Sequence, residues 1–547
     1  MRTIRFDPGL RELRAAAVLI VTALAAFVSA LALQAAVRSS TAMPVLAVVL
    51  ALSVGRTQRD AAHRDRLASL IRLPVVAVGA GLVGWLIRAE PPVGEALFVL
   101  GLSGAVWVRR FGPRVRQLGR LVTLPLIAIL VTGVPATALA GQSVWAGALG
   151  AGVIALVAGV WVMVIQLGAE RIGWLPRAPV VVAAGSAGPP PPSRRLAPST
   201  RMAVQLATAL TVAFVVGQWL SATHWVWVVL TAFIVSSGNR GRGDVAWKGL
   251  LRLVGAAAGT VVAAGIGSAF APGDRVAVAA IFVLLLLATW LRAINYAYWA
   301  AGITAVLAIL YDYYGEGGPN LLFDRLGGIL IGASIAVAAA WLVLPVRTGD
   351  VARRRCADAL AALSDLLAAL RTDRPAAEAN GVRFRSALEQ LKQIAPPLRA
   401  YRRLRRRRPE HLADAIDALE RCATPLRTLL DSDPEPVRRQ LGAARKSVGA
   451  ARRARAGRAG PAADADPPTA AEAPATADTP PAVAALATIG TELATVRTVW
   501  LAFPGRPGRS RPIRSPASSA FDARARIVHP RCRTARRAPV RTPDTPL

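Results

Sequence analysis

Between residue 10 and about residue 345 the chain alternates long apolar stretches with short polar ones. About 20 mostly apolar residues are needed to cross the hydrocarbon of a bilayer as a helix. Twelve stretches approach that requirement. They predict spans at 15–37, 41–55, 73–88, 93–108, 121–140, 145–167, 202–221, 224–237, 253–270, 276–291, 296–313 and 325–345. The second and eighth are near 15 residues, which leaves tilted or re-entrant pieces open for them. The first is too long for a cleaved leader, and no small-residue cleavage site precedes a soluble domain.

Past residue 350 the pattern changes. Leu360, Leu363, Leu367 and Leu370 recur at helical spacing. So do Phe384, Leu388, Leu391 and Leu398, and then Leu412, Ile416, Leu419 and Leu426. These are amphipathic helices that bury one face. No stretch here reads as a membrane span. The predicted units are a first six-helix membrane repeat at 1–169, a Pro-rich cytoplasmic linker at 170–200 and a second repeat at 201–349. A cytoplasmic helical domain at 350–455 follows, then a disordered linker at 456–482, a helix at 483–503 and a disordered basic tail at 504–547.

Charge supports this threading. The chain carries 66 Lys and Arg against 32 Asp and Glu, yet only 18% of its residues are charged and 54% are hydrophobic. A disordered polybasic protein is excluded by so much apolar content. Twelve alternating spans with the N-terminus inside place 25 of the 29 basic residues before residue 350 on the cytoplasmic side. Only Arg38, Arg88, Arg275 and Arg325 fall outside. Cytoplasmic loops carry this excess in membrane proteins.

A shift of 180 residues overlays the two membrane halves. Gly147, Gly152 and Trp161 meet Gly327, Gly332 and Trp341. Arg72, Ala77 and Gly79 meet Arg252, Ala257 and Gly259. Trp107 and Arg109 match Trp290 and Arg292 at a shift of 183. Six spans per unit make both copies enter from the same side, a parallel repeat with its axis along the membrane normal. The fold class expected is therefore all-α: a polytopic membrane protein of about 12 transmembrane helices arranged six plus six, followed by the cytoplasmic helical region.

Enzyme signatures are absent. There is no G-x-x-x-x-G-K-[ST] loop and no H-E-x-x-H. The three cysteines, Cys356, Cys422 and Cys532, are too few and scattered for a zinc site or a disulfide framework. No metal, cofactor or catalytic residue is expected. Candidate substrate contacts are Trp225, Trp227, Arg252, Arg292, Asn295, Tyr296, Tyr298 and Trp299. Rings stack on planar solutes, and guanidinium grips carboxylate with two hydrogen bonds. His224, Asp312, Asp324 and Arg325 are the titratable or charged groups placed to couple transport to an ion. Against these stand structural readings: interfacial aromatic belts, and arginines that snorkel from helix ends. Gly255, Gly259, Gly265, Gly328, Gly332 and Ala336 read first as close helix packing.

The run from His224 through Ala232, then Arg252-Leu253-Val254-Gly255-Ala256-Ala257-Ala258-Gly259, then Phe323 through Gly332 resembles the fusaric acid resistance (FUSC-type) membrane transporter family. The family pattern is an aromatic HxxW opening a span, RxxGxxxG, and a final span rich in Arg and Gly. The resemblance covers about 200–345. It implies transport of organic anions or amphiphiles, since relatives include aromatic carboxylic acid exporters and plant anion channels. The G-x-x-x-D-R-x-G-R-R loop of facilitator-superfamily carriers is missing from Gly55–Arg72.

The expected protein is thus a multi-pass transporter of the cell membrane with both termini cytoplasmic, exporting anionic, aromatic small molecules. An anion channel on the same scaffold, or a non-transporting membrane scaffold, is the alternative. Its partners are the lipid bilayer and an anionic solute; a homo-oligomer or an accessory efflux subunit stays open. The basic run Tyr401–Arg408 is read as facing anionic headgroups rather than nucleic acid.

Overall fold

A computed structural model describes residues 10–37, 43–59, 62–131, 144–176, 196–220, 225–266, 270–271, 273–315, 319–370, 373–404, 411–432, 438–455 and 480–502. Among them there is no strand. The first twelve α-helices are α1 (Arg11–Val37), α2 (Met43–Gln58), α3 (His63–Ala89), α4 (Pro91–Trp107), α5 (Pro113–Val131), α6 (Val144–Arg171), α7 (Pro198–Leu220), α8 (Trp225–Ser236), α9 (Arg242–Ile266), α10 (Arg275–Leu291), α11 (Tyr296–Tyr313) and α12 (Pro319–Leu342). Each apolar stretch of the sequence thus corresponds to one helix. The bundle that follows comprises α13 (Thr348–Ala369), α14 (Arg374–Lys392), α15 (Ala395–Leu404), α16 (Leu412–Arg421), α17 (Ala423–Asp431), α18 (Arg438–Arg455) and α19 (Pro481–Ala502).

Eight helices are long and apolar enough to cross a membrane: α1, α3, α4 with its extension to Phe111, α6, α7, α9, α12 and α19. Helices α2, α8 and α10 are shorter and apolar. Helix α19 nevertheless packs into the C-terminal bundle, and the outer face of α6 shows what surrounds the others. Trp145, Leu149, Val153, Leu156, Val160 and Val164 form an exposed stripe at helical spacing, while Ala148, Gly152, Ala155, Ala158 and Val162 are buried on the other side. In water such a stripe would need a cover; hydrocarbon supplies one.

Packing follows a pattern. Helix α1 packs on α2; α6 on α1, α2 and α3; α5 on α3 and α4. Six helices on, α7 packs on α8; α12 on α7, α8 and α9; α11 on α9 and α10. The halves meet where α4 lies on α7, α10 on α1 and α5 on α8.

Glycine sets the closest crossings in the second half. A Cβ on Gly259 would fall on the carbonyl oxygen of Ala301, and one on Gly255 within 2.6 Å of the Ala300 Cβ, so α9 lies backbone to backbone on α11. Gly328 and Gly332 do the same for α12 on α8, against Trp227 and Val228. Gly265 has open space around it. We expect Gly259→Ala to destabilise the protein by about 1–3 kcal/mol, the range for overpacking a tight contact. Thermal unfolding in detergent measures it.

Several helices begin earlier than hydropathy suggests. Helix α9 starts at Arg242 rather than 253, and α12 at Pro319 rather than 325. A hydropathy reading stops at the first arginine, but the backbone hydrogen bonds continue through it. Arg252 and Arg325, expected at helix ends, are the eleventh and seventh residues of their helices.

The bundle has one core, running from Ala352 to Trp500 and including Cys356, Leu363, Phe384, Ile416 and Leu493. Helix α19 belongs to it, through Leu486, Ile489, Leu493 and Val496, and Glu492 pairs with Arg421 at 2.6 Å. The bundle is tied to the membrane half at Thr348, whose Oγ1 accepts from Gly243 N at 2.9 Å. Gly241 beside it has φ +136° and no room for a Cβ, so glycine is required there. One arginine of the basic run, Arg402, pairs with Asp414 and Asp417, and Arg399 just before the run pairs with Asp417 and Glu420. Burial lowers the pKa of Arg399, but hydrogen bonds and charge from Asp417 and Glu420 outweigh it and raise the pKa overall. Residues 405–410, most of 456–482 and all of 504–547 lie outside the described residues.

Cys356 and Cys422 are free and buried in this core. Burial pushes each thiol up to about 12, so both stay protonated at pH 8, where the thiolate is the reactive form. Neither is expected to take up maleimide at pH 8 until the bundle is unfolded. Mass mapping of labelled peptides checks this.

Candidate anion-binding site

Among the described residues of the membrane half three arginines are almost completely buried: Arg66, Arg252 and Arg325, at 1%, 2% and 1% exposure. Burying a guanidinium at the centre of a membrane helix costs about 2.5–3.5 kcal/mol by insertion scales. Each therefore needs an explanation.

Arg66 has one within the fold. Its Nη2 donates to Glu170 Oε1 on α6 at 2.6 Å and to the Arg59 carbonyl at 3.1 Å, and its Nε donates to the Gln58 carbonyl at 3.2 Å. Only Nη1 is left unpartnered. The carboxylate balances the charge, and the pair ties α3 to α6.

Arg252 and Arg325 differ. Their guanidiniums lie within electrostatic range of one another, and among the described residues neither forms an ion pair. Arg325 Nη1 donates to the Thr304 carbonyl at 3.2 Å. Its Nε and Nη2 have no partner, nor has Arg252 Nε. The Arg325 guanidinium lies over the Trp227 indole, 4.4 Å from the ring centroid. That contact moderates the charge without neutralising it. Tyr311 meets the same indole edge-on, with 6.1 Å between centroids. One turn along α8 from Trp227, Thr231 Oγ1 is buried without a partner. Two positive charges and four idle polar atoms thus occur among closely packed helices. A carboxylate supplies the missing charge and accepts several hydrogen bonds.

The tight glycine crossings hold this arrangement. Gly328 and Gly332 press α12 onto α8 at Trp227 and Thr231, and Gly259 presses α9 onto α11 at Thr304. Leu307 packs with Trp227 and Leu230, and it also lines a cavity of about 270 Å³ between α1, α2, α10 and α11. The cavity is apolar but for Gln34, Tyr313 and Tyr314, and it is near the lower end of the usual range for small-molecule pockets.

The remaining candidates are dispersed. Trp225 packs on Phe214, 5.4 Å between ring centroids. Asn295 caps α11, its Oδ1 accepting from Ala297 N at 3.0 Å. Tyr298 is exposed and Tyr296 half-buried. Arg292 and Trp299 meet at 5.4 Å. Asp312 is half-buried at the end of α11, and Asp324 is exposed. His224 lies outside the described residues. Sequence reasoning missed Thr231 and Thr304. Thr231 was within reach, as the polar residue one helical turn after Trp227 in an otherwise apolar span.

Residues 212–339 match the family described as fusaric acid resistance protein-like. Trp227, Thr231, Arg252, Thr304, Tyr311 and Arg325 all fall inside the matched segment. Comparison with curated proteins and with solved structures gives no match.

Proposed function

We propose that this chain, whose residues 212–339 form a fusaric acid resistance protein-like domain, is an integral membrane transporter that exports anionic, aromatic small molecules. The observation that carries this reading is the buried pair Arg252 and Arg325, which lacks a described carboxylate and of which Arg325 lies over the Trp227 ring. Such a site is selective by charge, because a neutral solute leaves both guanidiniums uncompensated. It favours an aromatic body, because Trp227 and Tyr311 offer ring faces and edges.

Twelve spans in two parallel copies are part of the same proposal. The helix pairings that recur six helices on, and the contacts of α4 with α7 and of α10 with α1, which are related by the same six-helix step, support it. The matched positions have diverged. Arg72, opposite Arg252 in the overlay, is exposed, and Arg325 overlays Trp145. The first copy then acts as scaffold and the second carries the anion chemistry. With both termini cytoplasmic, the inside-negative potential favours anion exit.

Efflux of labelled aromatic carboxylates from proteoliposomes tests the reading. We expect loss faster than from empty vesicles for aromatic carboxylates, and none for their neutral alcohols. Equal loss from protein-free vesicles across a broad panel would count against it.

A further inference from the structure

A second group of cations meets a tryptophan where the two membrane halves join. Arg56, at the end of α2, lies 3.9 Å from the centroid of the Trp299 ring on α11. Arg292, just after α10, lies 5.4 Å from the same centroid. Arg56 Nη2 also donates to Thr289 Oγ1 on α10 at 3.2 Å. Lys248 is close enough to feel Arg292. The carboxylate nearby is Asp244, already engaged by Lys248 Nζ at 3.2 Å and by Arg240 N at 3.1 Å. Among the described residues neither Arg56 nor Arg292 forms an ion pair. Two guanidiniums therefore rest on one indole, a weak attraction at partly exposed sites, while neither has a described carboxylate on its hydrogen-bonding edge.

This cluster and the apolar cavity occupy opposite ends of one seam. The cavity is lined by Val45, Val48 and Leu52 of α2, by Val278, Phe282 and Leu285 of α10, and by later residues of α11. The cluster uses the end of α2, the end of α10 and the start of α11.

We propose that Arg56, Arg292 and Trp299 form a second binding site, distinct from the buried pair, for an aromatic monocarboxylate. The carboxylate takes the two guanidiniums, and the ring of the ligand replaces a guanidinium on the Trp299 face. In the orientation proposed above, on which this role rests, the site lies at the cytoplasmic mouth and captures the solute before it enters the seam.

Equilibrium dialysis of the purified full-length chain in detergent with 1-naphthoate tests it. The wild type is expected to bind two naphthoates per chain. Arg56→Gln, Arg292→Gln and Trp299→Leu are each expected to weaken one of the two at least tenfold, Trp299→Phe is expected to retain both, and Arg325→Met is expected to weaken the other roughly 30-fold. Cyclohexanecarboxylate should bind the mouth site more weakly than naphthoate, and 1-naphthalenemethanol should not bind it. One class lost only in Arg325→Met would overturn the mouth site and leave the transport reading intact. One class lost only in the Arg56, Arg292 and Trp299 variants would keep the mouth site and overturn the buried pair. No binding would overturn both. If a variant does not fold, phenylglyoxal modification of the wild type decides the matter: naphthoate protects Arg56 and Arg292 if the site exists and leaves their modification unchanged if it does not.

Discussion

Glu170→Leu is expected to destabilise the protein by about 3–5 kcal/mol, the cost of leaving one member of a buried ion pair alone. Arg66 is 1% exposed and its one carboxylate hydrogen bond is to Glu170 at 2.6 Å. The Gln58 and Arg59 carbonyls stay in place as acceptors, but they carry no formal charge. Unfolding in detergent measures the loss. The double variant Arg66→Met with Glu170→Leu should recover most of it, because an apolar pair of similar volume removes both the charge and its need for a partner. A double variant as unstable as Glu170→Leu alone would mean that the pair stabilises through something other than charge balance.

Arg325→Met is expected to act in the opposite direction. No described carboxylate depends on Arg325, so its replacement should be neutral or stabilising, by up to about 4 kcal/mol. Anion binding should fall by about 2 kcal/mol or more, the usual cost of truncating a buried charged partner, which is roughly 30-fold in affinity. A gain in thermal stability together with a loss of transport separates a binding residue from a packing residue. The paired Arg66 and the unpaired Arg325 are thus expected to give contrasting variants.

Much of the architecture was legible in the chain. Twelve apolar stretches correspond to α1–α12, because period and length are local properties that the backbone reads directly. The packing role of Gly255, Gly259, Gly328 and Gly332 was legible for the same reason: small residues four apart present a flat face. The site was legible only in part. Trp227, Arg252 and Arg325 were named, but as separate features at helix ends. Hydropathy averages penalise arginine, so both predicted spans stopped at the residue that matters and hid its depth. That Trp225 packs on Phe214 while Trp227 receives Arg325 is a matter of helix phase, two residues apart on α8. That Arg56 reaches Trp299 depends on how α2 meets α11 across the chain, which no local pattern encodes.

Anomalous diffraction from crystals grown with 4-iodobenzoate addresses the buried pair most directly. The expected result is an iodine site within one ligand length of the Arg325 guanidinium, with the carboxylate on Arg252 and Arg325 and the ring against Trp227. Iodine found only on the lipid-facing surface, with both guanidiniums unliganded at saturating ligand, would contradict it.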